Sequence, residues 1–357
     1  MAFCVNCFTV SGYNTSARAA VVIDGMTGEI LYSQNCNERL PMASTTKIMT
    51  ALLLCELGGD LSKEIVTTRE MVTVEGSSMG LLIGDRVSYH DLLYGMMLSS
   101  GNDAANTVAL SIGGSINGFA SLMNERAKKM GLENTHFVTP SGLDAEGHYT
   151  TAYELALITK EALANEQFAK AAATKKVRLK YGNPPYNRTL TNHNKLLNMY
   201  DDVVGVKTGF TSKSGRCLVS ASRKDGKLVI AVTLNDKNDW QDHRNLLDLG
   251  LSLIESKIIS PKKTDYSVGA TNGQKMDVTI PSATVSVTEK TRVMYLINLP
   301  QFIYAPVKRG DKIGSVAYYC NDNLVCELSI TASKDIEYKQ SKIVLFFETF
   351  KNLLLNI

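Results

Sequence analysis

The 357-residue sequence lacks the features that mark several common classes of protein. It has no run of about 18 consecutive apolar residues, which excludes an ordinary membrane-spanning helix. Only 8 residues are proline and 44% are hydrophobic, which excludes a disordered or low-complexity chain. The net charge is +3, which is too small by itself to indicate a nucleic-acid-binding protein.

Ligands for a cofactor are also missing from the sequence. The 7 cysteines are an odd number and lack the density of a disulfide framework. No set of side chains has metal-ligand spacing, and no glycine-rich loop could hold a phosphate group. We therefore expect no metal, no cofactor and no nucleic-acid partner. The chain length, in contrast, is enough for two domains.

The first 17 residues have the character of a leader. Residues 1–10 are apolar but lack the basic start of a secretory signal, and residues 11–20 become rich in small side chains. This pattern resembles the end of a signal peptide whose beginning is missing. We interpret residues 1–17 as the leader remnant of an exported protein. The alternative is a frayed terminus.

Residues 18–258 mix strand and helix patterns and form the predicted first domain. A strand pair is expected at 20–33 and a hairpin at 216–234, where Asp225–Gly226 supplies the turn. A helix is expected to begin at Ser44. Further helical patterns occur at 89–98, 103–113, 117–130, 152–165 and roughly 239–257.

The remaining sequence predicts two further parts. Residues 262–335 contain short alternating runs separated by turn clusters, which is typical of an all-β, sandwich-like domain. Residues 338–357 place apolar side chains at helical spacing along one stripe from Ile343 to Ile357. Such a helix suits the interface of a membrane, and the alternative is a helix that packs on its own protein.

A serine and a lysine one helical turn apart carry the first chemical signal. Ser44 and Lys47 form an S-x-x-K motif, in which a neutral lysine amine can act as the general base for the serine hydroxyl. Burial and a second nearby cation both favour the neutral amine. The helix N-terminus adds partial positive charge, and the Ser44 amide can face a developing oxyanion. The motif alone is weak, because Ser260–Lys263 repeats it in a linker context.

Two later motifs make the signal stronger. Ser100 and Asn102 form S-x-N at a junction between helical patterns, and Lys207-Thr208-Gly209 precedes the predicted hairpin at the start of an exposed strand. There a cation and a hydroxyl can meet a carboxylate, while the glycine lets a substrate backbone approach. The three motifs in this order form the set known from class A β-lactamases and penicillin-binding proteins.

The chain resembles the low-molecular-mass penicillin-binding proteins that are serine-type D-alanyl-D-alanine carboxypeptidases, the peptidase S11 family. The resemblance extends beyond the motifs and covers about residues 20–257. It implies an α/β (α+β) domain of the serine transpeptidase or β-lactamase type, with an antiparallel sheet, flanking helices and a helical lobe. The similar stretches are 42–52, 76–81, 98–105, 130–156 and 205–222.

The resemblance also implies roles for the motif residues. Ser44 would be the acylated nucleophile and Lys47 its base, while Ser100 would relay a proton and Asn102 would hold the substrate amide.

Further roles concern the substrate carboxylate and the oxyanion. Lys207 and Thr208 would bind the terminal carboxylate, and the amides of Ser44 and Phe210 would form the oxyanion hole. Relatives often place another basic side chain near the carboxylate, for which His193 and Arg244 are the candidates.

The implied reaction removes the terminal D-alanine from peptidoglycan stem pentapeptides, outside the cytoplasm and at the outer face of the cell membrane. β-Lactams would be covalent inhibitors. Three alternatives stay open: a D,D-endopeptidase on peptide cross-links, a β-lactamase, and a non-catalytic peptidoglycan-binding scaffold. A β-lactamase is disfavoured because the deacylating E-x-x-L-N segment of class A enzymes is not evident.

Overall fold

The computed structural model describes residues 14–338, which divide into two compact units at Glu255 and Ser256. We call residues 14–255 the catalytic unit and residues 256–338 the β unit. The described helices are α1 (Lys47–Leu57), α2 (Arg69–Val72), α3 (Tyr89–Leu98), α4 (Asn102–Gly113), α5 (Ile116–Lys129), α6 (Ala152–Ala164), α7 (Glu166–Ala173), α8 (Leu196–Met199) and α9 (Asp239–Leu253).

The strands are distributed over both units. Those of the catalytic unit are β1 (Ala19–Asp24), β2 (Ile30–Gln34), β3 (Glu64–Val66), β4 (Arg86–Ser88), β5 (Lys176–Gly182), β6 (Pro185–Thr191), β7 (Val203–Thr211), β8 (Gly215–Lys224) and β9 (Lys227–Leu234). The following strands are β10 (Glu255–Ile259), β11 (Asp265–Ala270), β12 (Lys275–Thr279), β13 (Ala283–Val287), β14 (Val293–Asn298), β15 (Phe302–Ile303), β16 (Lys312–Cys320) and β17 (Asn323–Thr331).

The catalytic unit is built on a five-stranded antiparallel sheet in the order β2-β1-β9-β8-β7. Strands β1 and β9 are almost continuously buried, because helices cover both faces of the sheet. Helix α6 packs on one face of β1 and β9, and α9 packs on the other. Strand β7 forms one edge of the sheet, so within residues 14–338 one side of its backbone has no neighbouring strand.

A helical lobe lies beside the sheet and contains α2 to α5. Its apolar side chains pack with those of α1 and α6 in one large core. Helix α1 therefore lies between the helical lobe and the helices that cover the sheet. The expected antiparallel sheet with flanking helices and a helical lobe is therefore confirmed.

Two local predictions need correction. The expected helix at Ser44 begins as a 3-10 turn over Ala43–Thr46, and α1 proper begins at Lys47. The hydroxyls of Thr45 and Thr46 donate to backbone oxygens three residues earlier, which favours this tighter turn. The last helix of the unit ends at Leu253, four residues before the expected end, because the β-branched residues that follow form strand β10.

The β unit has an all-β architecture, as the sequence predicted. Its described sheets are the pair β10-β13 and the three-stranded orders β12-β11-β15 and β14-β16-β17. Side chains from these strands enclose a separate apolar core, in which Met276, Val285 and Tyr318 are fully buried.

The ends of the chain bear on two further predictions. Residues 14–17, at the end of the expected leader, are part of the catalytic unit: Ser16 bonds to Asp236 and Asp242, and Ala17 is buried. The expected C-terminal helix lies outside the described residues, apart from its first position, Tyr338. Within residues 14–338, no helix is long and apolar enough to cross a membrane.

Candidate active site

Ser44 is held on the 3-10 turn by close contacts of two glycines. Gly142 has a positive φ of 84°, and a Cβ there would come within 1.8 Å of the Ala43 carbonyl oxygen. A Cβ on Gly209 would lie 3.1 Å from the Ser44 amide nitrogen. The turn is itself strained, since Ala43 has a φ of +48°. The backbone around Ser44 is therefore fixed by neighbours on both sides.

The Lys47 amine has three partners, and their chemistry defines its orientation. Nζ lies 2.7 Å from Oδ1 of Asn102 and 2.7 Å from the carbonyl oxygen of Ser141, and both atoms can only accept hydrogen bonds. The third partner is Oγ of Ser44, at 2.9 Å. A neutral amine that donates its two hydrogens to the acceptors has its lone pair left for the Ser44 hydroxyl.

The surroundings of Lys47 favour this neutral amine. Burial, together with the charge of Lys207, holds the pKa of Lys47 well below the ordinary 10.5, against an opposing effect of Asp103. Lys207 is also buried, which lowers its pKa to about 7, and its Nζ donates to the Thr208 carbonyl at 2.9 Å. Lys207 is thus the second cation whose charge lowers the pKa of Lys47.

The S-x-N motif lies between α3 and α4, where the sequence placed it. Ser100 takes a positive φ of 57° and lines the same pocket as Ser44. Asn102 begins α4, and its side chain is held at both ends, because Nδ2 donates to the Glu75 carbonyl at 2.6 Å while Oδ1 accepts from Lys47.

Asp103 organises the loop that faces this motif, a role that sequence reasoning missed. Its buried carboxylate accepts hydrogen bonds from the amides of Met79, Gly80 and Leu81 and from the Ser78 hydroxyl. The sequence signal that could have indicated this role is the position of Asp103 directly after the S-x-N motif, within the similar stretch 98–105.

Lys207, Thr208, Gly209 and Phe210 lie in the second half of β7, not at the start of a strand as predicted. The strand begins four residues earlier because the apolar VVGV run belongs to it. Side chains alternate across a sheet, so Lys207 is buried toward Ser44 while Thr208 and Phe210 point to the other face. Phe210 is 67% exposed, although it is a large apolar residue.

A pocket of about 380 Å³ connects these elements. It brings together the motif residues Ser44, Ser100, Thr208, Gly209 and Phe210. The other lining residues are Ser77, His193, Lys195, Arg216, Asp239 and Trp240.

The two candidate basic residues differ in position. His193 lines the pocket, and burial together with Lys207 lowers its pKa. Arg244 is not among the lining residues: on α9 it pairs with Asp202 and Asp248 and stacks over Tyr200. Arg244 thus lies outside the lining of this pocket, and its contact with the substrate carboxylate stays a prediction.

Residues 139–151 contact the turn that carries Ser44, and the sequence predicted only part of these contacts. Besides the Ser141 carbonyl and Gly142, His148 contacts the turn, with Nε2 2.8 Å from Oγ1 of Thr46. Its Nδ1 accepts from the Val138 amide, so Nε2 carries the hydrogen. Burial lowers the His148 pKa to about 4, which fits a neutral structural residue.

Comparison with known proteins agrees with this geometry. The family model of D-alanyl-D-alanine carboxypeptidase, peptidase S11, matches residues 6–238. The chain belongs to this family. A second family model, the C-terminal domain of penicillin-binding protein 5, matches residues 259–338. As a family member, the carboxypeptidase is a serine-type hydrolase.

Individual relatives support the assignment over most of the chain. The carboxypeptidase is 32% identical to D-alanyl-D-alanine carboxypeptidase DacF of Bacillus subtilis, across 90% of this chain and 86% of that protein. It is 31% identical to DacC of Escherichia coli, across 92% of this chain and 86% of the relative.

Solved structures give the same result for the fold. DacD from Francisella tularensis has a TM-score of 0.67 and 26% identity, covering 93% of this chain and 96% of its own. The DD-transpeptidase of Streptomyces K15 has a TM-score of 0.65 and 30% identity, covering 68% of the carboxypeptidase and all of its own chain. The carboxypeptidase function expected from the sequence is confirmed, and it agrees with an extracytoplasmic place of action.

Proposed function

We propose that Ser44 and Lys47 remove the terminal D-alanine from peptidoglycan stem pentapeptides. The observation that carries this proposal is the buried Lys47 amine, which lies 2.9 Å from Ser44 Oγ and has its other positions taken by acceptors. The neutral amine takes the hydroxyl proton as Oγ attacks the carbonyl between the two D-alanines. D-Alanine leaves, and water then hydrolyses the acyl-enzyme.

The oxyanion of the tetrahedral intermediate would be bound by the backbone amides of Ser44 and Phe210. Support for this comes from Gly209, whose missing side chain lets β7 approach the Ser44 amide. Such donors, fixed before the reaction begins, stabilise charge that develops only in the transition state. The strained turn and the contact of Gly142 hold the Ser44 amide in place.

Two further pairs of residues complete the proposed mechanism. Ser100, which lines the pocket, relays a proton to the departing amine. Asn102, which contacts Lys47, is the residue that would hold the substrate amide. Lys207 and Thr208 bind the terminal carboxylate. A carboxylate near Lys207 favours its ammonium form, and that charge in turn favours the neutral form of Lys47.

β-Lactams should acylate the same serine. Their strained amide would react with the same nucleophile, base and oxyanion donors as the peptide substrate. The acyl-enzyme then persists, since no class A type glutamate segment for rapid deacylation is evident in the sequence.

The location and the membrane contact are also part of this proposal. Peptidoglycan lies outside the cytoplasm, and the apolar residues 1–10, which precede the packed residues 14–17, have the composition of a leader remnant. The amphipathic pattern of residues 338–357 supports association with the outer face of the cell membrane.

The decisive experiment is incubation of the full chain with a pentapeptide that ends in D-Ala–D-Ala, followed by mass spectrometry of the products. We expect release of D-alanine by the wild type and none by Ser44→Ala. Ser260→Ala is the matched control, because it removes the serine of the second S-x-x-K motif and should retain full turnover.

The alternatives give different results in the same assay. Cleavage of cross-linked dimers without D-alanine release from the pentapeptide would identify an endopeptidase. If labelled penicillin does not acylate Ser44 of the wild type, the protein is a scaffold. If the acylated wild type rapidly returns to free enzyme, the protein is a β-lactamase. Turnover by Ser44→Ala would contradict the proposed nucleophile.

A further inference from the structure

The hairpin of β5 and β6 presents a row of positive charges on its outer face. Side chains alternate between the two faces of a strand, and the exposed positions of β5 are Lys176, Arg178 and Lys180. They follow each other at about 6.8 Å along the strand. We call these three residues the cation row. Within residues 14–338, none of the three forms an ion pair or a side-chain hydrogen bond.

The second strand of the hairpin does not neutralise this charge. The cation row pairs across the hairpin with Thr191, Thr189 and Asn187, which are also exposed. Cross-strand partners share a face of the sheet, so hydroxyl and amide groups flank the row. Residues 167–200 contain no aspartate and no glutamate. The outer face of the hairpin therefore combines positive charge with hydrogen-bond donors, which favours an anionic partner.

The opposite face of the hairpin fixes the row in position. Leu179 and Tyr181, which alternate with the row, are buried in the core of the catalytic unit. Arg188 pairs with Leu179 across the hairpin, and its guanidinium lies 4.4 Å from the centre of the Tyr181 ring and 3.4 Å from an oxygen of Asp85. The row is thus held in place before any ligand binds, which lowers the entropic cost of binding.

One end of the row lies near the active-site pocket in the fold. Lys176 pairs with Thr191, two residues before His193, and His193 lines the pocket together with Ser44. Lys180 lies toward the turn of the hairpin, at the other end. The cation row is not part of the pocket lining. A ligand bound along the row would therefore not occupy the pocket.

We propose that the cation row binds a linear phosphodiester polymer, with Thr189 and Thr191 donating hydrogen bonds to its phosphates. A phosphodiester in the backbone of a polymer places the charges along the polymer axis, and a straight row of evenly spaced cations matches that arrangement. Arg178, in the centre, can bind two oxygens of one phosphate, while the lysines act as point charges.

Such a contact would hold the carboxypeptidase on a polymer while the pocket stays open to its substrate. The inference goes beyond the proposed function and does not depend on Ser44. A membrane carries phosphodiesters as well, but its headgroups form a plane, which a single row of cations matches less well than it matches a line.

The test measures binding of the full chain to end-labelled polyglycerol phosphate by fluorescence anisotropy, at salt concentrations from about 50 to 200 mM. The row variant is Lys176→Gln, Arg178→Gln and Lys180→Gln combined. The matched control variant removes two lysines and one arginine elsewhere on the surface of the catalytic unit. Its substitutions are Lys128→Gln, Lys129→Gln and Arg223→Gln, all at exposed positions. Polyglutamate and phosphatidylglycerol vesicles are the comparison ligands.

Three phosphate contacts should make the affinity of the wild type fall by roughly 20-fold over this salt range, because bound counterions are released. The row variant should bind roughly 10- to 100-fold more weakly at about 50 mM salt and lose most of its salt dependence. The control variant should stay within about threefold of the wild type. Penicillin should acylate the row variant as it does the wild type, which shows that the variant is folded.

Several results would overturn this inference. The wild type does not bind polyglycerol phosphate, or the row and control variants lose affinity equally, so that only net charge matters. Equal affinity for polyglutamate would mean that the row does not select phosphodiesters. Binding to vesicles through the row, without binding to the polymer, would make it a membrane contact. A chain that binds the polymer but releases no D-alanine would contradict the proposed function alone.

Discussion

The catalytic unit and the β unit bury very different side chains. The catalytic unit encloses ionisable groups, among them Lys47, Lys207 and Asp103, each at most 1% exposed. Among the described residues of the β unit, the buried polar side chains are Ser286 and Ser315. Burying a charge is costly unless partners compensate for it, so proteins keep such groups where their altered chemistry is used.

This contrast shows how the fold separates two tasks. In the catalytic unit, backbone strain at Ala43 and Ser100 and two buried lysines surround one serine. In the β unit, alternation of apolar and polar residues is enough to account for the core. The comparison can be tested at positions that match in backbone geometry but differ in surroundings.

The largest difference is expected between two glycines with the same φ of 84°, Gly142 and Gly273. Gly273→Ala should cost about 1–2 kcal/mol, since only the left-handed conformation opposes the methyl group. Gly142→Ala should cost several kcal/mol more, because its Cβ would overlap the Ala43 carbonyl oxygen. It should also abolish most acylation of Ser44. The measurements are peptide-resolved hydrogen exchange and penicillin labelling.

Equal destabilisation by the two glycine substitutions, with acylation intact, would contradict the tight packing of residues 141–142 against the nucleophile turn.

A smaller difference is expected in the response to acid, since all 5 histidines lie in the catalytic unit. Burial lowers the pKa of His148 to about 4 and that of His243 to about 3. Both folded-state values lie below the ordinary 6.5, so the unfolded chain binds more protons between them. Stability of the catalytic unit should fall with pH from about 6.5 toward 4, by at most about 1.4 kcal/mol per pH unit for each histidine.

Urea unfolding followed by Trp240 fluorescence at pH 7 and pH 5 measures this effect in the catalytic unit. His148→Gln and His243→Gln should flatten the pH dependence. Hydrogen exchange in the β unit, which has no histidine, provides the internal comparison. Equal acid sensitivity of the wild type and both variants would contradict the assignment of these histidines as buried and neutral.

Much of the catalytic unit could be predicted because its signals are local. The helix at 89–98 and the hairpin around Asp225–Gly226 have the predicted bounds to within one residue. The contact between Ser44 and Lys47 follows from a spacing of three residues, which survives even though the turn is 3-10.

Features that depend on distant parts of the chain could not be predicted in this way. The Ser141 carbonyl reaches Lys47 across 94 residues, and no local pattern marks it. The position of Arg244 depends on which side of α9 packs against the sheet, and its ion pair with Asp202, 42 residues away, has no local signal. The position of Lys207 within β7 was not predicted, because the apolar residues 203–206 (VVGV) could equally precede the strand as belong to it.

The central claim is that Lys47 is a neutral base beside Ser44, and its titration tests this most directly. Lysines of the full chain are labelled with ¹³C at Cε, and Lys47→Met assigns the Lys47 resonance. The account predicts that Lys47 titrates well below the ordinary pKa of 10.5 of a lysine. Titration of Lys47 at the ordinary value of 10.5 would contradict the account.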